Sequence, residues 1–201
     1  MNVVALGRRF ARLATNAVVR RPFLWRLFRG PLRRQFEQLA PRWDAMRRPG
    51  HLEPFDAALA ALPIEPTRAL DLGTGTGDAA AMVARRFPGA EVVGVDLAGA
   101  MVDEARRKHP GLRFERADAS RLPFADGAFE LVTLANMIPF FDELRRVIAP
   151  GGWAVFSFSL GPETPIYVDS GRLRRELGRR GFTEFAEFSA GAGTALAAGL
   201  D

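Results

Sequence analysis

The stretch "ALDLGTGTGDAA", residues 69–80, places Gly73, Gly75 and Gly77 at alternate positions, directly after an apolar run that ends on Asp71 and Leu72. Glycine costs an ordered segment conformational entropy, so this clustering implies unusual backbone angles or something that must come close. The run before it, "TRALDL", reads as a short buried strand, and "GDAAAMVARRF" after it as an alanine-rich helix. A glycine-rich turn from strand to helix fits a bare tight turn, and equally a turn built around a ligand.

From residue 67 onward strands and helices alternate. "AEVVGVD" predicts a β-branched strand ending on Asp96, followed by the helix "AGAMVDEARRKH". "LRFERAD" predicts a third strand ending near Asp118, and "AFELVTLAN" a fourth closing at Asn136. "FFDELRRVIA" reads as a helix stopped by Pro150-Gly151-Gly152, a turn that carries no chemistry, before the strand "WAVFSFSL". After the helix "SGRLRRELGRRG", the stretch "FTEFAEFSAGAGTALAAGL" reads as two strands split by a glycine-rich turn. Strands separated by helices imply a parallel sheet with right-handed crossovers. The closing pair has no helix between its members and implies an antiparallel edge hairpin. The glycine turn therefore sits at the carboxyl edge of a parallel sheet, where open α/β sheets bind ligands.

Its spacing is G-x-G-x-G and not the G-x-G-x-x-G of dinucleotide enzymes. Asp71 precedes the first glycine by two residues and Asp78 follows the third directly. Two carboxylates there repel a pyrophosphate and suit a ligand with an amino group and a positive sulfonium, which favours S-adenosylmethionine. At these residues the chain resembles the class I S-adenosylmethionine-dependent methyltransferases, in particular the group related to ubiquinone/menaquinone C-methyltransferases. "LDLGTGTG" is similar to that family's first motif, "VVGVDLAGAMVDEA" to its second, "RADASRLPFADGAFELV" to its third, and "ELRRVIAPGGWAVFSF" to the stretch before its fifth strand. Four in order carry far more than any one alone.

The resemblance runs from about residue 36 to the C-terminus. It implies a Rossmann-like α/β fold, a seven-stranded, mostly parallel sheet in the order 3-2-1-4-5-7-6 with strand 7 antiparallel. It implies S-adenosylmethionine as methyl donor, held by Asp71, Gly73, Gly75 and Gly77. Asp96 would take the ribose hydroxyls, Leu97 and Met101 the faces of the adenine, and Asp118 and Ala119 its edge. "FEQLAPRWDAM" resembles the segment that covers the cofactor, making Phe36, Trp43 and Asp44 a lid. Glu130 stands where the family often has Asp. "ANMIPFF" follows the fourth strand where relatives often carry histidines, and it bears only a faint likeness to the Asn-Pro-Pro-aromatic signature of amino-group methyltransferases. Asn136, Phe140 and Tyr167, the chain's only tyrosine, become candidates for the substrate pocket by their position after the fourth and fifth strands.

Composition narrows the chemistry. The 201 residues hold no cysteine and only two histidines, His51 and His109, which excludes a disulfide framework, a thiolate or His-rich metal site and a cysteine nucleophile. Both histidines read as solvated helix-end residues, and no catalytic base or metal ligand emerges. No apolar run approaches the roughly 20 residues that span a bilayer.

Charge is uneven. Residues 1–50 contain twelve arginines against Glu37 and Asp44, while the remainder carries more acidic than basic residues. Lys108 is the only lysine, so arginine dominance reads as coding bias as much as guanidinium chemistry. Residues 1–65 form a basic helical extension or lid, and residues 66–201 the cofactor-binding domain. Val3, Leu6, Phe10, Leu13 and Ala17 recur as an amphipathic helix. "RRPFLWRLFRGP", broken by Pro22, Gly30 and Pro31, reads as a short separate helix; "LRRQFEQLAPRWDAMRR" and "LEPFDAALAAL" read as two more. Three readings of the basic segment stay open: a solvated face that closes over the active site, a peripheral membrane contact through residues 1–35 with Phe10, Phe23, Trp25 and Phe28 as anchors, or a nucleic-acid contact, the last disfavoured. The absence of acids before Glu37 also resembles a transit peptide in composition.

Taken together, the expectation is a cytoplasmic methyltransferase, peripheral at the membrane in the second reading, acting on a small molecule of lipophilic character. A non-catalytic cofactor-binding partner subunit and a nicotinamide-dependent oxidoreductase are the alternatives.

Overall fold

The computed structural model describes residues 3–201, with side chains from residue 7 onward, so the side chains of Val3 and Leu6 in the first apolar stripe lie outside the described residues. The chain opens with α1 (Val3–Arg20) and α2 (Trp25–Leu39), joined by a 3₁₀ turn at Pro22–Leu24. Two more 3₁₀ turns, Ala40–Arg42 and Asp44–Met46, lead to α3 (Glu53–Ala60). There follow β1 (Arg68–Leu72), α4 (Asp78–Arg86), β2 (Glu91–Asp96), α5 (Gly99–Lys108) and β3 (Arg113–Arg116). The second half comprises β4 (Phe129–Ala135), α6 (Phe141–Val147), β5 (Ile148–Phe158), α7 (Ser170–Gly178), β6 (Phe182–Ala190) and β7 (Gly193–Leu200).

The strands form one sheet in the order β3-β2-β1-β4-β5-β7-β6. β1 pairs parallel with β2 and β4, β2 with β3, and β4 with β5, whereas β7 runs antiparallel to both β5 and β6. This is the Rossmann-like topology that the resemblance implied. The reversal of strand order beside β1 puts its carboxyl end, and the glycine turn, at the crevice of the sheet.

Successive side chains of a strand point to opposite faces, and the core sorts accordingly. Leu70, Leu72, Val93, Val95, Val132, Leu134 and Phe156 belong to one apolar layer, covered by α1, α2, α6 and α7 through Ala14, Val18, Leu32, Leu144 and Leu173. Ala69, Val92, Leu131 and Val155 belong to the other, covered by α3, α4 and α5 through Phe55, Leu59, Val83 and Val102. The N-terminal helices thus share both layers with the sheet. Glu130, the longer acid in an aspartate's place, accepts the backbone N–H of Arg68 at 3.0 Å and the Thr67 hydroxyl at 2.9 Å, which fastens the start of β1 to β4.

Two elements differ from the sequence reading. The expected break at Gly30-Pro31 is absent: α2 runs through both residues. Pro31 removes one N–H, whose partner would be the carbonyl of Leu27 one turn earlier, and Leu27 is 69% exposed. Trp25 and Leu32 on the opposite face are buried, and that packing holds the helix together. Similarly, Pro150-Gly151-Gly152 does not stop a helix. α6 ends at Val147 and the three residues lie inside β5, where the register against β4 shifts between Phe129 and Leu131. Gly151 takes a left-handed φ of 74°, which lets the strand bulge and rejoin its ladder at Trp153.

A proline inside a helix is less favourable than alanine by about 3 kcal/mol, partly offset by the freedom alanine restores to the unfolded chain. Pro31→Ala is therefore expected to stabilise the protein by about 2 kcal/mol in urea unfolding. An unchanged midpoint would mean that the helix does not continue through residue 31.

Candidate functional site

Between β1 and α4 the chain turns under the sheet edge in five residues. Gly73, Gly75 and Gly77 carry it with φ of 68°, 55° and 89°, angles that other residues rarely adopt. Space is equally restrictive. A Cβ at Gly73 would lie 2.6 Å from the Met137 sulfur, and one at Gly77 2.8 Å from the Phe114 ring. At Gly75 it would meet Trp43 Nε1 and Arg47 Nη2, both at 3.3 Å, so the 3₁₀ segment before α3 lies directly over the loop.

A buried acid, Asp71, and a half-buried one, Asp96, flank this loop. Asp71 accepts the Thr133 hydroxyl at 2.8 Å on Oδ1, while its Oδ2 is buried without a partner. Burial pushes its carboxyl up to about 6, against the neighbouring hydroxyls of Thr74 and Thr133. Asp96, at the end of β2, accepts the N–H of Gly75 at 3.0 Å and of Ala98 at 2.9 Å, so one carboxylate ties the loop to the start of α5. Burial raises its pKa too, opposed by those N–H donors. Thr74 Oγ1 and Trp43 Nε1 are further buried polar atoms without partners. The unsatisfied groups thus include an acceptor and donors gathered around one glycine loop.

The segment over the loop is fastened by apolar and ionic contacts. Phe36 and Trp43 meet edge to face at 5.5 Å, and both pack with Met101, Ala98 and Ala40. Asp44 accepts the Thr76 hydroxyl at 2.6 Å and pairs with Lys108 at 2.7 Å. Lys108 also reaches Asp78 at 2.7 Å, and Asp78 binds Arg47 at 2.8 Å and His109 at 3.2 Å. Burial alone would push the Asp78 carboxyl up, but Lys108, Arg47 and His109 outweigh it and hold it below the usual range. Burial lowers the Arg47 pKa, and Asp78 and Asp44 oppose that.

Asp118 lies against the first turns of α2. Its Oδ1 accepts the Trp25 indole N–H at 2.9 Å and the Ser120 N–H at 2.9 Å, and Arg29 pairs with Oδ2 at 3.3 Å. Trp25 in turn meets Phe140 edge to face at 5.2 Å, and Ala119 is buried beside them. Leu97 is half-buried against the same layer. Asn136, beyond β4, is the only residue besides glycine with positive φ among the described residues, and its Oδ1 accepts the N–H of Ser159. Tyr167 packs against Phe158 at 5.0 Å, its phenol pKa raised by burial and by the charges of Asp169 and Glu187.

The structure therefore brings Asp71, the three glycines, Asp96, Met101, Phe36, Trp43 and Asp44 into one neighbourhood. Asp118, Ala119 and Phe140 gather around Trp25. Three placements correct the sequence reading. His109 is no solvated end residue, being largely buried between Asp78 and Phe114. His51 is half-buried with Nε2 unpartnered, its pKa lowered by burial and by Arg47. Trp25 is buried, and Phe10 and Phe28 pack on each other at 5.8 Å, so these three face the protein's own core. Lys108, Arg47 and Trp25 as site residues carried no signal in the sequence, because their partners lie 30 to 93 positions away.

Residues 69–152 match the family model described as a methyltransferase domain. Among curated relatives, a demethylmenaquinone methyltransferase of Thermus thermophilus is 46% identical over 136 residues, covering 58% of this chain and 60% of the relative. A malonyl-[acyl-carrier protein] O-methyltransferase of Halorhodospira halophila is 39% identical over 145 residues, covering 66% of this chain and 49% of the relative. The chain thus spans less than two thirds of these relatives' length. Among solved structures, a SAM-dependent methyltransferase from Aquifex aeolicus superposes with a TM-score of 0.65 at 18% identity, covering 81% of this chain and 98% of that one.

An acid whose folded pKa is raised contributes stability while protonated and loses it as pH climbs through the folded value. For Asp71 the window runs from about 4, its unfolded value, to about 6. In the protein without cofactor, Asp71→Asn should match the parent near pH 4. Its advantage should grow to about 3 kcal/mol above pH 6, measured by urea unfolding across that range. A difference that stays flat with pH would show that Asp71 ionises without penalty.

Proposed function

Because the chain belongs to the class I S-adenosylmethionine-dependent methyltransferase family, we propose that it transfers the methyl group of S-adenosylmethionine to a small lipophilic acceptor. The observation that carries this reading is the glycine loop, with buried, unsatisfied Asp71 Oδ2 below it and Trp43 Nε1 above it. These groups fit a ligand that offers an ammonium, a sulfonium and a carboxylate. Asp71 would hold the ammonium, and Trp43 Nε1 with the Arg47 guanidinium the carboxylate. The backbone of Gly73, Gly75 and Gly77 leaves room for close approach, and Asp96, already oriented by two N–H donors, would take the ribose hydroxyls. Leu97 and Met101 would pack on the adenine, with Asp118 and Ala119 at its edge. The raised Asp71 carboxyl gains when a cation arrives, a reason for it to be buried.

When bound, S-adenosylmethionine supplies an electrophilic methyl for in-line displacement. The chain's part is alignment and exclusion of water, which together account for several kcal/mol in well-oriented reactions. Phe36, Trp43 and Trp25 close the site from the side of α2, and Phe140 and Phe158 give an apolar wall beyond β4 and β5. No side chain there is placed as a strong base. The Tyr167 phenol holds its proton more tightly than usual, and Asn136 offers an amide, so both serve to position an acceptor that is already nucleophilic. The apolar wall favours an acceptor of the class named for the Thermus relative, taken in its electron-rich hydroquinone form, over a charged malonyl group. A nicotinamide cofactor fits poorly, since Asp78 stands at the helix start where its pyrophosphate would sit.

Calorimetric titration with S-adenosylhomocysteine should give micromolar or tighter binding, whereas NAD should give none. Asp96→Ala should weaken binding at least tenfold and abolish transfer from labelled donor together. Undiminished binding by that variant would overturn the site assignment.

A further inference from the structure

We propose that the outward faces of α1 and α2, with the turn between them, dock on an anionic lipid bilayer. The proposal goes beyond methyl transfer and does not depend on it. Leu13 is 60% exposed, Phe23 60% and Leu27 69%, and among the described residues the only other exposed large apolar side chain is Met46. All three lie within fifteen residues of sequence, and none is needed by the core, which α1 and α2 serve through Ala14, Val18, Trp25 and Leu32 on their inner faces.

Arginines surround the exposed trio. Arg9, Leu13 and Arg20 recur at helical spacing on α1, and Arg21 and Arg26 flank Phe23. Arg9, Arg20, Arg21 and Arg26 are exposed, and none enters an ion pair among the described residues. Unpaired guanidinium groups interleaved with protruding apolar side chains match a surface that presents phosphate above hydrocarbon. A nucleic-acid backbone would use the charge and leave Leu13, Phe23 and Leu27 without a partner. The anchors differ from the sequence expectation, which placed Phe10, Trp25 and Phe28 in the bilayer; only Phe23 remains. The inner side of α2 borders the site through Trp25 and Phe36, which would bring a membrane-dissolved acceptor close to it.

The test is flotation of the full chain with vesicles of phosphatidylcholine alone, or with about one third phosphatidylglycerol, over a salt series. Binding should appear with the anionic vesicles at low salt and fall at least tenfold without phosphatidylglycerol. Each arginine at such a surface contributes about a factor of five. The triple variant Arg20→Gln/Arg21→Gln/Arg26→Gln should therefore lose most binding, and Leu13→Ser/Phe23→Ser/Leu27→Ser should weaken it at least tenfold. Unchanged S-adenosylhomocysteine affinity in both variants would show that they fold and would keep this result separate from the cofactor assignment. Absence of flotation overturns the proposal. So does binding that ignores the apolar triple change and is competed by a duplex oligonucleotide, which would assign the face to nucleic acid.

Discussion

The chain must leave the carboxyl end of β1 and enter α4 within five residues, beneath an edge where Phe114, Met137 and Trp43 already crowd the backbone. Three left-handed glycines are the solution, and much else is arranged around them. They place Asp71 below the loop, Asp96 against the N–H of Gly75, and Asp78 in the first turn of α4, where a negative charge suits the helix dipole. Trp43 and Arg47 can lie over the loop because Gly75 presents no side chain.

That loop also explains why the segment over it is ionic on one side and aromatic on the other. Burial works against the Asp78 charge, and Lys108 and Arg47 oppose it with positive charge while His109 adds a hydrogen bond. Met101 and Ala98 expose apolar surface at the head of α5, which Phe36 and Trp43 cover. The far end is held by the indole N–H of Trp25 on Asp118, a contact that links the N-terminal helices to the loop after β3.

Where chemistry is local, the sequence was legible. Strand alternation, the glycine spacing and the terminal hairpin all report on neighbours within a few residues, whereas the sheet order came only from the family resemblance. Three kinds of feature were hidden. Pro31 and Pro150-Gly151-Gly152 looked like breaks, because a local rule takes no account of Leu32 anchoring one helix or of a bulge that lets β5 continue. The Lys108 cluster and the Trp25–Asp118 bond join distant residues and leave no periodic trace. The apolar stripe of α1 has the same spacing whether it faces a bilayer or a core; the structure splits it, packing Phe10 on Phe28 and leaving Leu13 exposed.

The strand order leaves β3 and β6 with unpaired edges, the usual route by which open sheets recruit strands from other molecules. β3 is only four residues long and carries Arg113, Glu115 and Arg116. β6 is longer, but Glu184 and Glu187 punctuate it, and its register shifts between Phe182 and Glu184. A strand from a second chain would have to desolvate those charges or follow an irregular ladder. The sheet is thereby capped by its own sequence at seven strands, and its open flanks resist aggregation although its interior is rich in β-branched and aromatic residues.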